Sequence, residues 1–117
     1  MTVRIKRAYI SPAREDGHRI LVDRLWPRGV RKADAKIERW IKDVGPSTEL
    51  RQWFGHDPRR WEEFQRRYCD ELRHQQEALA ELEHFARDGV TTLVFAARDE
   101  EHNNAVVLRD LIEDRLG

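Results

Sequence analysis

Cysteine is nearly absent: Cys69 is the only one in 117 residues. An intramolecular disulfide is therefore excluded, and a reducing compartment fits the composition. Long apolar runs are missing as well. Nothing approaches the roughly 20 residues that a membrane span requires, and the opening Met-Thr-Val-Arg-Ile-Lys has no signal-peptide core. A cytoplasmic protein with no membrane association is the expectation. Net charge is lacking too, since 22 Lys and Arg balance 22 Asp and Glu. That removes the usual electrostatic reason to expect nucleic acid as a partner. There is no glycine-rich phosphate loop, no nucleophile elbow around a serine and no Cys/His ligand spacing. The common NTPase, hydrolase and zinc signatures are thus all missing, and no metal and no cofactor is expected.

What is present is charge and enough apolar side chains for a core. Charged residues make up 38% and hydrophobic residues 39%, with four Trp and four Phe. Disorder would call for fewer aromatics and a larger net charge, so a folded chain is expected. The length suits one domain covering residues 1–117. Charge is unevenly spread. Through Lys36 there are ten Lys/Arg against four Asp/Glu (+6), and the remainder has 12 against 18 (−6). Two solvated faces would account for this; an anion-attracting surface is the alternative.

The strongest pattern lies near the C-terminus. Thr92-Leu93-Val94-Phe95-Ala96-Ala97 reads as a strand buried on both faces. It breaks into the polar run Arg98-Asp99-Glu100-Glu101-His102-Asn103-Asn104. Val107, Leu108, Leu111 and Ile112 then resume at the spacing of a helix with one buried side. Earlier, residues 3–9 alternate as a half-buried or edge strand, and Ile20-Leu21-Val22 marks a second central strand over residues 19–25. Only about ten residues separate these two, so the direction of the first strand is left open. Asp34 is placed to cap a helix with Ile37, Trp40, Ile41 and Val44 at i, i+3, i+4 and i+7. Ser47 starts a short helix closed by Gly55, and Asp57-Pro58 opens a longer one carrying Trp61, Phe64, Tyr68 and Leu72. After a break near His74, a further helix runs to Gly89. The expectation is an α/β fold: a small three-layer α/β domain with a short, mainly parallel sheet of about three strands flanked by helices.

If the second and third strands are parallel neighbours, their C-terminal ends share one edge of the sheet. Asp23, Arg24, Trp26 and Arg28 would then meet Arg98, Asp99, His102, Asn103 and Asn104, beside the N-terminus of the last helix. Arg28 and Arg98 are suited to clamp a phosphate or carboxylate, and Trp26 to pack on a ligand. Asp23, Arg24, Asn103 and Asn104 complete the ligand-binding candidates. His102 and Asp99 are the catalytic candidates, because a loop histidine next to carboxylates can move a proton. The competing reading is structural: Arg24 and Arg98 pair with Asp23 and Asp99 to stitch the loops, while Asn103 caps the helix. His56, in Trp53-Phe54-Gly55-His56-Asp57, is read as part of a buried joint between helices, and Cys69 as packed rather than reactive.

Three separated stretches form a familiar combination: Val22-Asp23-Arg24-Leu25-Trp26-Pro27-Arg28-Gly29, Trp53-Phe54-Gly55-His56-Asp57 and Ala97-Arg98-Asp99-Glu100-Glu101-His102-Asn103-Asn104-Ala105. Together they resemble the YeaO-like branch of the domain-of-unknown-function family 488, over nearly the whole chain. The resemblance implies a bacterial or archaeal compact α/β protein and supplies no reaction. The wider family often has Cys-His-Arg where this chain has His102-Asn103-Asn104, so thiol chemistry is not carried over. Whether the protein is an enzyme is left open. The leading expectation is an uncharacterised cytoplasmic protein binding a small anionic ligand, phosphate-bearing or nucleotide-like, at the C-terminal strand ends. The alternative is a non-enzymatic protein-interaction or regulatory module, motivated by the four tryptophans. Nucleic-acid binding ranks third, and the oligomeric state is not legible.

Overall fold

Short apolar segments build a parallel sheet here, because each connection, whether loop or helix, returns the chain to the edge from which it started. The computed structural model describes residues 2–117. Strands β1 (Val3–Arg7), β2 (His18–Leu21), β3 (Arg39–Trp40) and β4 (Thr91–Phe95) lie in the order β1-β4-β2-β3. Every neighbouring pair is parallel. The register is level, since Thr91 pairs with both Val3 and His18. All five residues of β4 are buried, as its uninterrupted apolar run requires. β1 alternates and lies at the edge, with Arg4 and Lys6 among its residues. Its open direction is resolved as parallel.

The helices are α1 (Lys32–Ala35), α2 (Thr48–Phe54), α3 (Trp61–Leu72), α4 (Gln76–Asp88) and α5 (Asn104–Leu116). Ser47 caps α2 by accepting from the Leu50 N–H, and Gly55 closes it in the left-handed conformation. Period-2 alternation in the strands divides the interior. Val3, Ile20, Val22, Leu93 and Phe95 face the larger cluster, formed with α2 to α5. Leu21 and Val94 face the other way, where Trp26, Val30, Ile37 and Trp40 cover the sheet. This second covering is mostly irregular chain with the single turn of α1.

The sequence differs from the structure in one element. The helix expected beyond Asp34 does not form: Asp34 lies inside the four-residue α1, which ends at Ala35, where Lys36 turns left-handed (φ 52°). The chain then adds β3, pairing Arg39 with Ile20 and Trp40 with Leu21. Trp40 joins one cluster and Ile41 the other. Consecutive residues on opposite faces are the signature of a strand, so the helical spacing of four apolar residues was coincidental. β3 brings the sheet to four strands.

Candidate functional site

From β2 the chain passes across to β3, whereas from β4 it returns through α5 to pack on β1. The C-terminal ends of β2 and β4 are neighbours whose chains depart in opposite directions, the place where open parallel sheets leave a crevice. A crevice of about 1080 Å³ opens there. Asp23, Arg24, Trp26, Arg28, Arg98, Asp99, His102, Asn103 and Asn104 all line it, so every residue singled out from the sequence reaches one place.

Their roles differ. The Asp23 carboxylate accepts from the Ala96 N–H (2.9 Å) and from the Asn104 side-chain amide (3.0 Å). The same amide also donates to the Val22 carbonyl at 3.1 Å, which ties the start of α5 to the exit of β2. Burial pushes the Asp23 carboxyl up from its ordinary value, against these two hydrogen bonds and the nearby charge of Arg51. Arg24 does not pair with Asp23. Its guanidinium donates to the carbonyls of Gly45 (2.9 Å) and Pro46 (3.2 Å), stitching the β2 exit to the turn before α2. Gly45 permits that approach, because a Cβ there would meet the Arg24 backbone nitrogen at 2.6 Å.

The loop after β4 folds around Asp99. One carboxylate oxygen accepts from the backbone N–H groups of Glu101 (2.9 Å) and His102 (3.0 Å). The other lies 2.9 Å from His102 Nδ1. The Glu101 N–H, with the His102 ring and N–H, holds the Asp99 carboxyl below its ordinary value. Asn103 accepts from the Val106 N–H as the cap of α5 and donates to the Asp99 carbonyl. The His102 ring packs edge-on against Trp61, with centroids 5.3 Å apart. With Nδ1 engaged by Asp99, Nε2 is the nitrogen without a partner among the described residues, the arrangement of a base held by an orienting carboxylate.

Trp26 is already occupied. Its indole N–H donates to the Val30 carbonyl at 2.6 Å, its ring meets Trp40 edge-on, and Lys32 lies over it. Arg28 and Arg98 are exposed, and no side-chain bond engages either guanidinium among the described residues. The loop-stitching alternative for Arg98 and Asp99 therefore has no hydrogen bond behind it.

Eleven further residues line the crevice, and among them Tyr9, Leu25, Arg51 and His56 were not placed there by the sequence reading. Arg51 is the most informative. Its Nε is cut off from solvent without an acceptor, and no carboxylate pairs with its guanidinium among the described residues. Nothing in the sequence marks it, because α2 reaches the crevice only through its packing on α3. His56 is exposed rather than buried in a joint, with φ at 58°. Among the described residues no group of three His, Cys, Asp or Glu side chains could hold a metal ion. No helix of these residues is long and apolar enough to cross a membrane.

Comparison with known proteins gives a consistent result. The model of a family described as "Inactive DUF488-N3 subclade" matches residues 2–117. Uncharacterised proteins of Mycobacterium bovis and Mycobacterium tuberculosis are 46% identical over 113 residues, covering 97% of this chain and 95% of each relative. The uncharacterised protein YeaO of Escherichia coli is 38% identical over 110 residues, covering 94% of this chain and 96% of the relative. No solved structure matches the chain.

Proposed function

The chain belongs to the inactive N3 subclade of the domain-of-unknown-function family 488, alongside YeaO, and on that premise we propose that it binds a small anionic ligand, such as a phosphate ester, in the crevice at the C-terminal strand ends. The observation that carries this reading is three arginines on one crevice, Arg28, Arg51 and Arg98, with no carboxylate paired to any of them among the described residues. Elsewhere most arginines are spent on neighbours: Arg19 on Asp16, Arg59 on Asp57, Arg67 on Glu63. An unpaired guanidinium presents a planar fork of donors to a phosphate or carboxylate. The family's description and the His102-Asn103-Asn104 sequence favour binding over turnover. The lone cysteine fits a cytoplasmic location.

Isothermal titration with inorganic phosphate and phosphate monoesters tests the reading. The combined variant Arg28→Ala, Arg51→Met, Arg98→Ala is expected to weaken binding about tenfold or more, the worth of at least one charge-assisted hydrogen bond. Absence of heat at millimolar ligand, or equal affinity in the variant, would refute it.

A second reading is favoured by one observation, the 2.9 Å contact between His102 Nδ1 and Asp99. It gives His102 a role in proton transfer on the bound ligand. A ligand found by titration and left chemically unchanged by the wild type over days would count against it.

A further inference from the structure

The crevice is chemically graded. At its inner end stand Phe54 and Phe64, both buried, together with Asn103 and the partnerless Nε of Arg51. At its mouth stand Tyr9, 48% exposed, and Leu25, 59% exposed. Four large apolar side chains are exposed among the described residues, and these are the two that line the crevice; Ile10 and Val90 do not. Exposed apolar surface beside a cleft marks a place where something packs. Tyr9 is also held in position. Its hydroxyl donates to the Arg28 carbonyl at 2.9 Å, and the Arg7 guanidinium sits 5.2 Å from the ring centroid. A ring fixed in this way forms a packing surface without the entropy loss a free side chain would suffer. Trp26 lines the same crevice, with its indole N–H bound to the Val30 carbonyl and its ring at a steep angle to Trp40.

The size of the space agrees. Drug-sized ligands occupy pockets of roughly 300–1,000 Å³, and this crevice has about 1080 Å³. A free phosphate ion would fill a small part of it and touch neither Tyr9 nor Leu25 while held at the inner end.

Building on the anion reading, we propose that the ligand is a phosphate monoester of a ring-bearing molecule, with its phosphate at Arg51 and its ring against Tyr9 and Leu25. Arg51 takes the anion because a half-buried guanidinium interacts with charge more strongly than the exposed Arg28 and Arg98, which are screened by water and salt. Nε itself is closed to solvent, so an arriving phosphate meets this guanidinium at its other nitrogens, with which no carboxylate forms an ion pair among the described residues. Arg28 and Arg98 guard the mouth and draw the anion in.

The test compares matched pairs by isothermal titration: phenyl phosphate against methyl phosphate, and adenosine monophosphate against ribose 5-phosphate. The ring-bearing member of at least one pair is expected to bind about tenfold more tightly. That gap should shrink in Leu25→Ser and Tyr9→Ala, both surface changes that leave the core intact. Methyl phosphate should bind these two variants as it binds the wild type, and Arg51→Met should weaken every phosphate about tenfold or more. Equal affinity within both pairs, or a gap that survives in both mouth variants, would overturn the ring assignment while leaving the anion reading in place. Unchanged binding in Arg51→Met would overturn the placement of the phosphate. Failure of all four ligands would remove the anion reading and this inference together.

Discussion

His18 sits at the opposite end of β2 from the crevice and shows how single residues fasten this fold. Glu38 Oε1 and Asp88 Oδ2 each lie 2.8 Å from one of its ring nitrogens, and its ring packs on Phe85. The Glu38 bond, then the Asp88 bond, raises its pKa above the ordinary value. A histidine raised in this way contributes stability that is complete below its unfolded pKa, about 6.5, and is lost as pH rises through the folded value. The melting temperature of the wild type should therefore exceed that of His18→Gln most at acidic pH. The difference should narrow as pH rises above about 6.5; a pH-independent difference would show that the two carboxylates do not hold the imidazolium. Asp16 works in the opposite sense. Burial alone would raise its carboxyl, but the Ala13 N–H and the Lys6 and Arg19 side chains outweigh it and pull it down. At this scale the sequence disclosed which residues reach the crevice but not what each does there. Arg24 and Trp26 look like ligand groups from the chain alone, and both turn out to be bonded to nearby carbonyls. Arg51 carries no local sign at all, because an arginine on a short helix declares itself only through the acceptor it lacks in three dimensions.

Elements were legible where their chemistry is local. The cap at Ser47, the proline after Asp57, the break after Leu72 and the cap at Asn103 were each readable from a few adjacent residues, and each is found. The segment from Ile37 to Val44 was not, because four apolar residues fit both a helix and a chain crossing from one face of the sheet to the other. What decides is pairing with β2, a contact distant in sequence. The turn into β2 makes a firm prediction at this scale. Gly17 has φ at 63°, and a Cβ there would meet the Val90 carbonyl oxygen at 2.1 Å. The same oxygen accepts from the His18 N–H, so it cannot retreat without breaking the start of the strand. Gly17→Ala should cost on the order of 3 kcal/mol, combining left-handed strain with overpacking. Urea denaturation measures it, and a cost below about 1 kcal/mol would mean that β2 is not held against Val90 as described.

Taken whole, the molecule opens its crevice at the seam between two connections. The level register of β1, β4 and β2 brings Asp23 and Ala96 to the same height, and the diverging chains leave the space between them open. This much followed from the sequence once two strands were taken as parallel neighbours, since the polar stretches after each must then share an edge. The size of the crevice, its apolar mouth and the contribution of α2 did not follow, because they depend on how α2 settles on α3. The four tryptophans, counted as possible interface residues, are each packed against a neighbour: Trp26 on Trp40, Trp61 on Phe64, and Trp53 beneath Arg60 and Arg67. All four stay half-buried, so the interaction-module reading keeps its surface, and the anion reading rests on the crevice alone. Its most direct test is an amide chemical-shift titration of labelled protein with phenyl phosphate. Binding at the crevice predicts that the amides of residues 23–28, 51–56 and 96–104 move together and saturate, while those of α4 stay fixed. Saturating shifts confined to α4, or none anywhere at millimolar ligand, would contradict it.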